Sequence, residues 1–250
     1  MRIGLIGLGK AGQAVADVLA QDPQCDLRWI ATRTGQPSAI ALHGQEYPVF
    51  ALSAESLEQR WNEQPVDALV DFSAASSAAV YSPLAAKYGI TVVSAISAYS
   101  AEQLQAMRDL GQHTRIMCSP NITVGINFLI MAAKLLREIA PFADVEILEQ
   151  HFKEKPEVSG TAQKIATSLQ VGQEKITSMR LGGIVGHHEV IFGFPYQTVR
   201  LVHDSIKRQA FGTGTAFALQ ELAHYPHGFY TFEDLLLERM RQQILRSGNS

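Results

Sequence analysis

An apolar run that breaks directly into a glycine-spaced turn constrains this chain more than any other feature. Arg2 to Gly7 reads as a short strand, Gly7, Gly9 and Gly12 follow in the spacing GLGKAG, and Ala11 to Ala20 carries Val15, Val18 and Leu19 at helical intervals. A strand that turns so tightly into a helix belongs to a βα unit, whose helix must pack back on a parallel sheet. Each glycine has its own physical use. Gly7 permits the turn, Gly9 lets the backbone approach a pyrophosphate, and Gly12 allows close helix–strand packing. Lys10 and Ala11 then stand at a helix N-terminus, where unpaired amides attract anions. With 19 glycines among 250 residues the spacing alone arises by chance. Its context, a strand before it, a helix after it and a second strand ending about 20 residues on, points to dinucleotide binding rather than a plain βα turn.

The end of that second strand, Leu27 to Thr32, bears on which dinucleotide is held. A carboxylate there would take the ribose diol, but the chain has Ala31, Thr32, Arg33 and Thr34. Arg33 would meet a 2′-phosphate and the two threonines would donate to it, so NADPH is expected, with NADH open. A surface arginine is the competing explanation.

The same rhythm recurs at Ala68 to Asp71 with Ala75 to Tyr88, at Ile90 to Ser94 with Ala101 to Asp109, and at Arg115 to Cys118. It predicts an α/β fold with a doubly wound, mostly parallel sheet of Rossmann type. The character then changes. Ile126 to Ala140 is one apolar helix, Asp144 to Glu149 a strand, Gly160 to Ser168 a helix; strand-like runs follow at Thr177 to Arg180, Glu189 to Phe194 and Gln197 to Val202. Short turns between consecutive strands suggest an antiparallel sheet, so a smaller α+β domain is expected here, its sheet antiparallel or mixed. Phe211 to Ala223 and Phe232 to Gln243 return to helical spacing. The expected division is residues 1–122, completed by C-terminal helices at 209–250, for the dinucleotide, and 123–208 for substrate binding and oligomerisation.

Composition narrows the classes. A net charge of -3 offers no case for nucleic acid or an anionic membrane, and no apolar run is long enough to span one. Cys25 and Cys118 are isolated, which argues against a metal site or disulfide scaffold. The glycine turn follows the first residue too closely for a leader, so a cytoplasmic enzyme is expected.

The chemistry concentrates in EQHFKEKPEVSGTA, Glu149 to Ala162. His151 is of the residue type that exchanges protons near neutral pH, Lys155 supplies a cation, and Ser159, Gly160 and Thr161 open a helix with hydroxyls and amides suited to a carboxylate. A plain serine N-cap is the alternative for Ser159, and the two are compatible. Lys153, Glu154 and Glu157 read as a solvated loop.

These residues resemble the dihydrodipicolinate reductase family. Its signature E-x-H-H-x-x-x-K-x-D-x-P-S-G-T-A is answered by Glu149, His151, Lys155, Ser159, Gly160, Thr161 and Ala162; CSPNITVGIN, GGIVGHHEVIFG and HDSIKRQAFGTGTAFA are similar to further family segments. The resemblance implies an NAD(P)H-dependent oxidoreductase of diaminopimelate and lysine biosynthesis that reduces a cyclic imino dicarboxylate, works as a homotetramer and binds neither nucleic acid nor membrane. It implies that His151 donates the proton, that Lys155 supports it and holds a carboxylate, and that Ser159, Gly160 and Thr161 grip a carboxylate. Arg208 would add positive charge to the substrate site, or form a structural salt bridge. Phe72, Ser73, Ser94, Ala95, Ile96, Asn121 and Ile122 would lie along the cofactor, the last two near the nicotinamide. Departures surround the reacting ring: Phe152 replaces the second histidine, Glu157 the aspartate, the proline before S-G-T is missing, and Ser94 to Ser97 replace G-T-T-G. A paralogue reducing another cyclic imine, and a non-catalytic NAD(P)-binding regulator, are the alternatives.

Overall fold

The computed structural model describes residues 1–247. By contacts the chain divides into two compact units, Met1–Thr123 with Arg208 onward, and Val124–Lys207. The expected C-terminal helices are α7 (Gln209–Leu222) and α8 (Phe232–Ser247), and positions 248–250 lie outside the described residues.

The first unit is built on β1 (Arg2–Ile6), β2 (Asp26–Thr32), β3 (Ala39–Leu42), β4 (Gln45–Ala51), β5 (Ala68–Asp71), β6 (Thr91–Ser94), β7 (Arg115–Cys118) and β12 (Gly228–Tyr230), in the order β12-β7-β6-β5-β1-β2-β4-β3. Every pairing is parallel except the β3–β4 hairpin. The strand order reverses at β1, which has β2 on one side and β5 on the other, so the crevice outside the ends of these three strands is the natural ligand position of the fold. The four residues of β5 and of β6 are all buried, as strands covered on both faces must be. Around them Ile6, Trp29, Leu69, Tyr81, Val92 and Ile116 form one core, each large side chain contributing ~1.5–3 kcal/mol by leaving water. Trp29 also satisfies its buried indole N–H on the Gln64 carbonyl at 3.1 Å. The helices of this unit are α1 (Lys10–Leu19), α2 (Ala54–Glu63), α3 (Ser77–Tyr88) and α4 (Ala101–Leu110), with α7 and α8 added from the C-terminal part. Gly212 of α7 lies against Val18, which lets α7 approach α1 closely.

The second unit holds α5 (Val124–Ile139), β8 (Asp144–His151), α6 (Gly160–Ser168), β9 (Ile176–Arg180), β10 (Gly186–Phe194) and β11 (Gln197–Ser205), the sheet running β11-β10-β8-β9. The sheet is mixed. Short-turn logic holds for the β10–β11 hairpin, but β9 does not neighbour β10. The α6 crossover carries the chain to the far side of β8, where β9 pairs parallel to it, while β10 pairs antiparallel on the other side. β8 alternates exposed or half-buried with buried residues, placing Val145, Ile147, Glu149 and His151 on one face. That face belongs to the core of Ile126, Leu129, Ile165, Val190 and Phe192, into which the two polar residues extend.

Candidate active site

The crevice at the strand reversal is a cleft of about 760 Å³. Of the expected cofactor residues it is lined by Gly7, Gly9, Thr32, Arg33, Thr34, Phe72 and Ser73, joined by Gln13, Gln36, Pro37 and Leu52, which the sequence did not single out. Gly7 has φ +100 and passes so close to the Phe72 carbonyl that a side chain would not fit. Gly12 sits against the Gly7 carbonyl with equally little room. Gly9 differs, since a Cβ there would meet nothing within 4 Å. It caps α1 in extended conformation with no side-chain acceptor, and the first turn of α1 has Lys10 but no acidic residue. A helix start so stripped of its own anion suits phosphate. The Thr32 hydroxyl accepts the Gly35 amide at 2.9 Å, fixing the turn that presents Arg33 and Thr34, both exposed. These residues fit a dinucleotide.

Lys10, Ala11 and Gly12 form the helix start behind the cleft, and the other expected cofactor residues do not line it. Ser94 is buried with its hydroxyl 2.8 Å from the Tyr99 hydroxyl. Ala95 and Ile96 follow β6, half-buried. Asn121 and Ile122 follow β7, Ile122 buried, with its carbonyl pressed against Gly214 of α7. The Ser73 hydroxyl donates to Asp71 at 2.5 Å, and the Tyr81 hydroxyl donates to the other Asp71 oxygen at 3.1 Å. Burial raises the Asp71 carboxyl while these donors oppose it.

In the second unit, strand register brings together a set of polar groups. Ser178 stands opposite Glu149, Arg180 opposite His151, and His188 opposite Glu149 from the other side. Residues facing each other across a ladder share a sheet face, so all five meet. The Arg180 guanidinium donates to both Glu149 oxygens, at 2.8 and 3.0 Å, and the Ser178 hydroxyl adds a bond of 2.8 Å. The Ser159 amide donates at 3.2 Å from the N-terminus of α6. His151 Nδ1 lies 2.5 Å from the remaining side of the carboxylate. Burial alone would raise the Glu149 carboxyl, but the Arg180, Ser178, His151 and Ser159 donors outweigh it and hold the carboxyl at about 2. An ionised Glu149 can only accept, so His151 Nδ1 carries the proton and Nε2 faces away from this network.

His188 is buried, its ring 5.2 Å from that of His151 in an edge arrangement. Burial first, then repulsion from His151 and His203, pushes it down to about 3, so it is neutral at pH 7. Its Nε2 and the Ser159 hydroxyl are 2.8 Å apart, and its buried Nδ1 has no partner among the described residues. A bare acceptor nitrogen there costs less than an orphaned N–H. The favoured tautomer therefore donates from Nε2 to Ser159, leaving the hydroxyl proton of Ser159 for another acceptor.

Ser159 is buried and makes no side-chain cap, its amide being taken by Glu149. Gly160 is exposed, and a Cβ there would meet nothing within 4 Å. Thr161 follows in the first turn, half-buried. Lys155 is half-buried and forms no ion pair among the described residues, while its carbonyl accepts from Arg180. Phe152 is 44% exposed, a large apolar ring left at the surface next to His151. Arg208, in the first unit, precedes α7, is exposed and makes no ion pair among the described residues. Arg180, Ser178 and His188 escaped sequence reasoning. The one local signal was the Glu149–His151 alternation, which puts two polar residues on the buried face of a strand. Among the described residues no group of three or more His, Cys, Asp or Glu is arranged to hold a metal, and no helix is long and apolar enough to cross a membrane.

Comparison with known proteins decides the family. The profile described as Dihydrodipicolinate reductase, N-terminus matches residues 1–122, and its C-terminus counterpart matches 121–236. The chain belongs to the dihydrodipicolinate reductase family. A 4-hydroxy-tetrahydrodipicolinate reductase of Caldanaerobacter subterraneus subsp. tengcongensis is 30% identical over 250 residues, covering 91% of this chain and 94% of that one. One from Thermosipho africanus is 27% identical over 240 residues, covering 95% and 99%. The fold is that of the dipicolinate-bound dihydrodipicolinate reductase from Paenisporosarcina sp. TG-14, with TM-score 0.77 and 24% identity over 92% of this chain and 97% of that one. Members of the family are reductases, so this chain is an NAD(P)H-dependent oxidoreductase.

Proposed function

We propose that the chain reduces 4-hydroxy-tetrahydrodipicolinate to tetrahydrodipicolinate in the cytoplasm, with NADPH preferred over NADH, and that it acts as a homotetramer. The observation that carries the reading is the His151–Glu149 pair beside the open N-terminus of α6, a proton donor next to an anion site. The dinucleotide, when bound, supplies the hydride. Hydride addition to the conjugated imine builds electron density at the ring, and His151 discharges it by giving up a proton from Nε2. Lys155 holds one substrate carboxylate and supports that step. Gly160 and Thr161, with the Ser159 hydroxyl, hold the other, and Arg208 adds positive charge. In the first unit the turn at Gly7 and Gly9 with the α1 N-terminus takes the pyrophosphate, and Arg33 with Thr32 and Thr34 takes the 2′-phosphate. Phe72, Ser73, Ser94, Ala95, Ile96, Asn121 and Ile122 belong to the remaining cofactor path.

A second reading, a related reductase acting on another cyclic imino acid, draws support from Phe152, since an exposed aromatic stands where the family signature has a second histidine. The assay that separates them follows NADPH oxidation by absorbance, with dihydrodipicolinate synthase supplying the unstable substrate in situ. Turnover is expected. No turnover from protein that still binds NADPH would reject the lysine-pathway substrate. His151→Gln should cut kcat by about 100-fold or more with dinucleotide affinity intact, and an unchanged kcat would remove His151 as the acid.

A further inference from the structure

We propose that Glu149, clamped by Arg180 and Ser178, is the positioning residue that fixes the tautomer of His151 and stabilises its protonated form. The inference rests on the reading of His151 as the proton donor. Glu149 itself touches neither substrate nor cofactor in this role; it acts through the imidazole.

Four donors besides His151 converge on Glu149. The Arg180 guanidinium grips both oxygens, the Ser178 hydroxyl and the Ser159 amide reach Oε1, and none of these atoms lies on the strand that carries Glu149. Such a carboxylate cannot rotate away from His151 without losing several charge-assisted bonds. The Glu149 side chain is fully buried and that of Arg180 largely so, which keeps their attraction from being screened by solvent. Arg180 is itself tied by its Nε to the Lys155 carbonyl at 3.0 Å and by Nη2 to the Glu157 carbonyl at 2.8 Å. The clamp therefore joins β8, β9, the loop after β8 and the start of α6 in one network.

The ionisable groups facing His151 are Glu149 from its own strand, Arg180 from β9 and His188 from β10, while Ser159, the residue before α6, brings its amide and hydroxyl to the network. His188, being neutral, does not oppose a charge on His151. Arg180 opposes it and Glu149 favours it, so the single negative charge in the set decides whether an imidazolium is tolerated. Without that charge, Arg180 faces His151 with no counter-ion.

Two measurements test the idea. In the first, Glu149→Gln is compared with the unaltered protein. A fall in kcat of at least about tenfold is expected, with dinucleotide affinity unchanged and the acid-dependent limb of the kcat profile displaced to lower pH. Glu149→Asp should recover part of kcat. A structural residue would instead lower the yield or thermal stability without moving the pH profile of the molecules that remain active. An unchanged kcat and profile in Glu149→Gln would overturn the proposal.

The second measurement needs no substrate and no substitution at Glu149. Nitrogen-15 spectra of the unaltered chain, with the His151 signals identified by their loss in His151→Gln, report which ring nitrogen holds the proton. Neutral His151 is expected to carry it on Nδ1. A proton on Nε2 would overturn the proposal even if Glu149→Gln fails to fold. Absence of turnover by the unaltered chain, with the Nδ1 proton in place, would count against the proposed substrate and not against the clamp.

Discussion

A side chain at Gly12 would collide with the Gly7 carbonyl, whereas one at Gly9 would meet nothing. Gly12→Ala is therefore expected to cost about 1–3 kcal/mol in urea unfolding. Gly9→Ala should leave stability nearly unchanged and weaken dinucleotide binding. Loss of stability in both variants alike would deny Gly9 a ligand role. Arg33 is open to a similar comparison. If it meets a 2′-phosphate, Arg33→Ala should lose about 1.5–3 kcal/mol of NADPH affinity, roughly 10- to 100-fold in Kd, with little change for NADH. Equal effects on the two would return Arg33 to the surface. At this scale the glycine turn was legible because Gly7, Gly9 and Gly12 stand within six residues of one another. The Glu149 clamp was not, because Ser178 and Arg180 lie 29 and 31 residues from the group they hold. Only the register of β9 on β8 makes them neighbours.

Elements were legible where burial imposed a period. α6 spans Gly160–Ser168, the very residues its pattern predicts, and α5, α7 and α8 depart only at their ends. α2 was passed over because its sole buried residue is Leu57, too little to imprint a stripe. Its start is instead written in chemistry: the Ser53 hydroxyl accepts the Ser56 amide at 3.1 Å and the Ser56 hydroxyl accepts the Ser53 amide at 3.0 Å. Ser53→Ala should destabilise the chain by about 1 kcal/mol in urea unfolding. No measurable change would mean that tertiary packing alone holds α2. The β3–β4 hairpin was missed as well, since its strands are half-exposed and β4 carries Pro48. Strand order in the second sheet exceeded what turn lengths reveal. The return of β9 beside β8 depends on where α6 packs, a tertiary preference with no local mark.

For the molecule as a whole, two buried groups, His188 and Glu149, oppose folding as the pH falls. His188 is pushed down to about 3, so between about 6.5 and about 3 the unfolded chain binds a proton that the folded chain refuses. The His188 contribution is complete above that window and falls as pH drops through it, by up to about 1.4 kcal/mol per pH unit for one proton. Glu149, held at about 2 against 4.5 for an ordinary glutamate, adds a second loss over that lower interval. Urea midpoints should decline from pH 7 towards pH 4, and His188→Gln should flatten the decline. A midpoint that stays level would contradict a neutral buried His188.

β9 ends the second sheet, paired on one side with β8 and with no strand beyond it among the described residues. It carries both Ser178 and Arg180. Edge strands fray before central ones, so a brief peeling of five residues would remove both clamps at once and leave Glu149 held by the Ser159 amide and His151 alone. The charge environment of Glu149 is thereby coupled to the breathing of a sheet margin. Amide hydrogen exchange along Thr177 to Arg180 would measure how often the clamp on Glu149 opens.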